Sequence, residues 1–109
     1  MKGALAWALM ALWAGPASAA MQTMTLSCAV AYLPARSTWV REVQIDWEGQ
    51  RMRAIRIDGI APYRYGFLPQ GFVTAIDNER IQLDLKQGEW TSDFRGQASG
   101  QGRCEVLAR

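Results

Sequence analysis

Residues Phe72 to Cys104 read FVTAIDNERIQLDLKQGEWTSDFRGQASGQGRC. Phe72 to Ile76 is an apolar run with β-branched and aromatic members. From Arg80 to Leu85 the chain alternates strictly, with Ile81, Leu83 and Leu85 on one face and Arg80, Gln82 and Asp84 on the other. A period of two marks a strand buried on one side. Asp77-Asn78-Glu79 connects the two runs, and Asn78 suits a left-handed turn position. Gln87-Gly88 turns the chain again. Trp90, Ser92 and Phe94 then alternate with Thr91, Asp93 and Arg95. Gly96 to Gly102, GQASGQG, reads as a flexible or tightly turning connection. Arg103 to Leu107 is the last strand, with Cys104 and Val106 on one face.

The same pattern extends toward the N-terminus. Thr23 to Ala31 alternates and points Cys28 inward with Met24, Leu26 and Val30. Tyr32 to Thr38 contains Pro34 and reads as a loop. Trp39, Val43, Ile45 and Trp47 share a face that only Arg41 interrupts. Glu48-Gly49-Gln50 is a turn, and Arg51 to Ile57 returns with an irregular alternation that a β-bulge near Ala54 would reconcile. Asp58-Gly59 begins a turn ending at Pro62. Tyr63, Tyr65 and Phe67 form a short aromatic strand. Nothing after residue 20 keeps a helical period. About eight short strands at a spacing of roughly 8–12 residues predict an all-β fold. The expected form is a small antiparallel meander, a closed or nearly closed barrel or sandwich, in which a link between first and last strands removes the exposed edges. The face pattern places Trp39, Trp47 and Trp90 in the core.

The first nineteen residues are not counted as fold. Met1-Lys2 is a short positive segment, Ala4 to Ala14 is apolar, Gly15-Pro16 breaks it, and Ala17-Ser18-Ala19 supplies the small-x-small pattern of a signal peptidase site. Cleavage is expected after Ala19 or Ala20. The run is shorter than the roughly 20 apolar residues that span a bilayer, so the expectation is a signal peptide (1–19) and one β domain (20–109), without a membrane span. The address is periplasmic or secreted. In an oxidising compartment the two cysteines, Cys28 and Cys104, have one pairing available. It closes a loop of roughly 77 residues, worth roughly 4–5 kcal/mol at most in the chain-entropy model.

Composition limits the chemistry. The 109 residues include no histidine, and the net charge is +2. Serine–histidine and cysteine–histidine nucleophile systems are excluded, and so is the commonest zinc ligand. The charge is too balanced for nucleic acid as the main partner. No cofactor or metal is expected. Asp58, Asp77, Glu79 and Asp93 leave room for a small carboxylate-dependent hydrolase, and Asp77, Asn78 and Glu79 for calcium. Their placement at turns is explained more simply by backbone conformation, so the expectation is a non-enzymatic domain. The densest polar group is Asp77-Asn78-Glu79-Arg80. It is either a recognition loop or, as preferred, a hairpin turn with Glu79 and Arg80 solvated. Arg51, Arg53, Arg56 and Arg64 give a positive band beside Tyr63 and Tyr65, which pairing with Glu42, Asp46 and Glu48 would neutralise. The candidate recognition residues are therefore Asp77, Asn78, Glu79, Arg80, Arg64 and Tyr65. A protein or envelope component is the expected partner, in preference to a small molecule.

At Asp77-Asn78-Glu79-Arg80-Ile81, at Trp90-x-Ser92-Asp93-Phe94-Arg95-Gly96 and at Gly100-Gln101-Gly102-Arg103-Cys104 the chain resembles small, uncharacterised exported proteins of Gram-negative bacteria. That resemblance implies a periplasmic address and no particular activity. In size, export and the Cys28 and Cys104 pair it is also distantly similar to the membrane-bound type inhibitors of c-type lysozyme. That likeness implies a small β-barrel and an inhibitory role. Of the inhibitors' Ser-Gly-x-x-Tyr motif only Ser99-Gly100 is present, without a tyrosine three residues on.

Overall fold

A computed structural model describes residues 20–108 of the protein. The expected signal peptide lies outside them. The described residues form eight strands: β1 (Met21–Leu33), β2 (Ser37–Glu48), β3 (Arg51–Ile57), β4 (Tyr65–Leu68), β5 (Gly71–Ile76), β6 (Glu79–Asp84), β7 (Glu89–Asp93) and β8 (Ser99–Ala108). All pair antiparallel in one sheet of order β3-β2-β1-β8-β7-β6-β5-β4. The result is a nearly closed barrel. The first and last strands are joined, and the slit lies between β3 and β4, so two edges remain open where closure was expected to remove them.

The slit has a local cause. Ile57 and Ile60 exchange two backbone hydrogen bonds, each 2.9 Å, across Asp58 and Gly59, whose φ values are 53° and 81°. Two successive positive φ values make the hairpin turn that returns a strand on its neighbour. The return stops at Pro62, which has no N–H to give the ladder. The chain rejoins the sheet only at Tyr65, as β4, beside β5.

The core follows the pleat. Cys28 and Val30 from β1, Val43 and Ile45 from β2, Ile55 and Ile57 from β3, Phe72 from β5, Ile81 and Leu83 from β6 and Trp90 from β7 are buried together. Cys28 sits directly opposite Cys104 in the β1–β8 register, and the two are disulfide-bonded. The expected bulge is present: Asp46 pairs with Ala54 and Trp47 with Met52, which leaves Arg53 as the extra residue.

Several boundaries differ from the sequence reading, and three of them bear on the packing. Tyr32, expected in a loop, continues β1, because its inward face completes the series Leu26, Cys28, Val30. Tyr63 stands outside β4 and is fully exposed. Most of the glycine-rich passage is strand: β8 begins at Ser99, and only the turn before it connects. A Cβ on Gly102 would lie 2.2 Å from the Ala29 carbonyl oxygen and 2.8 Å from Val30 Cα. One on Gly100 would lie 2.5 Å from Ser92 Oγ and 2.8 Å from Tyr32 Cε1. These glycines permit close approach, since Gly102 faces Trp90 across the β7–β8 pair and Gly100 lies against Tyr32.

Candidate functional site

The six candidate recognition residues divide into three groups. Asp77 and Asn78 are exposed at the β5–β6 turn, where Asp77 takes the left-handed conformation (φ 56°) expected of Asn78. Arg64, Tyr65 and Arg80 come together along a groove of about 600 Å³ on the β4–β7 half of the sheet, which Gln82, Thr91 and Asp93 also line. Glu79 belongs to neither group. It was expected in solvent and is 4% exposed. The correction is a matter of parity: residue 79 shares the inner face with Ile81 and Leu83.

A buried carboxylate requires a partner, and Glu79 has two. Tyr32 Oη donates to Glu79 Oε2 at 2.7 Å, and Arg41 Nη1 donates to Glu79 Oε1 at 2.9 Å and to Tyr32 Oη. Arg41 Nε donates to Asp58 Oδ2 at 2.6 Å, while Asp58 Oδ1 accepts the Glu42 backbone N–H at 2.9 Å. The Arg41 guanidinium lies 5.1 Å from the centre of the Trp90 ring, within cation–π range. One arginine thus joins β2, the turn after β3 and β6 across one end of the barrel. Burial, then the hydrogen bond and charge of Glu79, push the Tyr32 phenol up to about 12. Burial alone would lower the Arg41 pKa, but the hydrogen bonds to Glu79 and Asp58 and the charge of Glu79 hold it above its ordinary value. The network ties β1, β2, β6 and the turn after β3 together and braces this end of the barrel. The signal for it was in the sequence: Arg41 and Glu79 are opposite charges at inward positions.

Trp39 also needs correction. The alternation puts it on the inner face, yet it is 62% exposed. It sits at the barrel rim with its ring edge-on to Tyr32, 6.4 Å between centroids. Strand parity assigns a face but no depth along the barrel axis. Trp90 is fully buried, and Trp47 is partly buried against the core.

β4 has a partner on one side only. Tyr65 and Phe67 stand opposite Thr74 and Phe72 of β5, both inward residues, yet remain 42% and 41% exposed beside the slit. Their rings pack at 5.2 Å. On the other edge of the slit β3 is guarded by charge. Arg56 pairs with Asp46 at 2.8 Å, and Arg53 with Glu48 at 3.5 Å. The hydrogen bonds from Arg56 and Thr23 lower the Asp46 pKa. The expected neutralisation of the arginine band is seen at these two positions. Arg64 and Arg80 make no salt bridge among the described residues.

The carboxylates named for the hydrolase and calcium alternatives lie in different settings. Asp93 accepts the Gly96 N–H in its own turn, Glu79 points away from Asp77 and Asn78 into the barrel, and Asp58 and Glu79 converge on Arg41. Ser99-Gly100 lies within β8 with Gly100 buried. No helix among the described residues is long and apolar enough to cross a membrane. No protein-family model, curated protein or solved structure matches the chain.

Proposed function

We propose that the mature chain is an exported, non-enzymatic binding domain of the periplasm or external medium whose partner is a protein or envelope component presenting an extended segment. The Ala17-Ser18-Ala19 pattern and the Cys28–Cys104 bond support export to an oxidising compartment. The observation that carries the binding reading is the unpaired β4 edge with its exposed Tyr65, Phe67 and Leu68. An exposed apolar edge is a template for another strand. Period-two alternation sets the chemistry of that strand. Residues facing the slit interior meet Tyr65 and Phe67 and are apolar, and residues facing outward meet Arg64 and are acidic.

The test uses an extended peptide of alternating apolar and acidic residues, titrated calorimetrically against the mature protein. Phe67→Lys puts a charge on the edge where natural sheets place their guards, and should weaken binding at least tenfold with little change in melting temperature. Arg64→Glu should reverse the preference toward a basic peptide. Equal affinity for the wild type and both variants would refute the strand-addition reading.

A further inference from the structure

The β1–β2 hairpin outruns its neighbour. β1 and β2 pair from Met21 and Glu48 up to Tyr32 and Ser37, whereas β3 accompanies β2 only from Glu48 to Val43. The end of the hairpin therefore stands beyond β3. Ala31, Leu33, Pro34, Ala35, Trp39 and Val40 are exposed there, Leu33 at 55% and Val40 at 69%. Single apolar residues on a surface need no explanation, but a set gathered on one projecting tip marks a docking surface.

Charge says what the tip meets. Residues 29–40 contain no carboxylate, and Arg36 in the turn is their one charge. The β7–β8 connection lies beside that turn, since Leu33 pairs with Ser99 at the start of β8. Its residues Phe94 to Ala98 likewise hold no carboxylate and one cation, Arg95. Neither Arg36 nor Arg95 makes a salt bridge among the described residues. Trp39 is supported from behind: Tyr32, on which its ring stands edge-on, packs in turn on Phe94 at 5.9 Å.

We propose that this end of the barrel docks on the surface of an anionic phospholipid bilayer, with Leu33, Trp39 and Val40 entering the interface and Arg36 and Arg95 meeting lipid phosphates. Tryptophan settles at headgroup level, and each cation near an anionic leaflet adds attraction. Depth is limited by Glu42, the first carboxylate along β2, and by the β2 edge from Ser37 to Val40, whose free backbone groups need water or headgroup partners. A glycan would stack on Trp39 but find Arg41, Glu79 and Asp58 already spent on one another. A projecting apolar tip needs a matching pocket in a protein, whereas a bilayer needs no match of shape. The tip is separate from the β4 edge, so either surface can fail without the other.

The probe is unilamellar vesicles of phosphatidylcholine, pure or mixed with an equal part of phosphatidylglycerol, cosedimented with the mature protein. The mixed vesicles should bind roughly tenfold or more tightly than the pure ones, and less so as salt rises. Trp39 is the exposed tryptophan of the described residues, so emission should shift to the blue and lose its quenching by iodide. Trp39→Ala should weaken binding roughly tenfold or more. Val40→Glu, outward on the tip, should do the same and serves if Trp39→Ala fails to fold. Arg36→Glu with Arg95→Glu should lower binding to the level of pure phosphatidylcholine. Protein left in solution by mixed vesicles, or unchanged binding in the double arginine variant, would overturn the proposal. Shielding of Trp39 by a lipid-free protein extract but not by vesicles would also overturn it, in favour of a protein partner.

Discussion

At the scale of single residues, the barrel depends on one misfit. Arg41 interrupts an apolar face, and Glu79 stands where a solvated turn residue was expected, yet each resolves the other. Removing one member leaves a buried charge without its counter-ion. Arg41→Leu should therefore destabilise the fold by about 3–5 kcal/mol in chemical denaturation, and adding Glu79→Leu should recover much of that loss. Strictly additive losses would show that the two residues act independently. Tyr32 gives a second test through pH. An unfolded tyrosine ionises near 10.0, whereas in the fold Tyr32 does so near 12. Below pH 10 the phenol is protonated in both states and its contribution is intact. Between pH 10 and 12 only the unfolded chain releases the proton, so stability falls as pH rises. Tyr32→Phe should remove that part of the alkaline loss, measured as the difference between the two proteins' denaturation midpoints across this window.

At the scale of elements, β8 is the instructive strand. Glycine is a poor strand former, and GQASGQG invites a reading as loop. Two of its glycines are nevertheless strand residues, because the inner face there has no room beyond the backbone. Gly102→Ala would drive a methyl group into Ala29 and Val30 backbone atoms that cannot step aside, and should cost on the order of 3 kcal/mol or prevent folding. Gly96 has φ +79° but open space around it, so Gly96→Ala should cost only the left-handed strain, about 1–2 kcal/mol. Melting temperatures of the two variants separate steric exclusion from conformational preference. The β3–β4 connection follows a related logic: a turn that could have closed the barrel ends at Pro62, and the unpaired edge is left on the strand with exposed aromatics.

At the scale of the whole molecule, closure runs through the first and last strands. β1 pairs with both β2 and β8, and Cys28–Cys104 fixes the β1–β8 register near its middle. Replacing both cysteines with alanine should lower the melting temperature by roughly 15–30 °C, from a loss of about 4 kcal/mol in a domain of this size. The far-UV spectrum of the folded protein should not change, because the ladder hydrogen bonds persist. A shift within a degree or two would mean that β1–β8 pairing alone carries the closure. One end of the barrel is braced by charge, and the slit runs along its side.

Much of this was legible in the residues themselves. Alternation identified the strands, the bulge beside Ala54 and the buried Trp90, because a period of two is local and survives in any all-β arrangement, and the count of two cysteines left Cys28–Cys104 as the one pairing. The sequence also put Arg64, Tyr65 and Arg80 among the candidate contacts, and the fold brings them to one groove. Parity, however, says which face a residue takes and nothing of its height or its opposite number. That is why Trp39 proved to be at the rim and Gly102 beneath a tryptophan. Only the curvature of the sheet decides which strands meet across the barrel and which edge stays open. Those contacts join residues distant in sequence, as Tyr32 and Arg41 meet Glu79, and no local pattern encodes them.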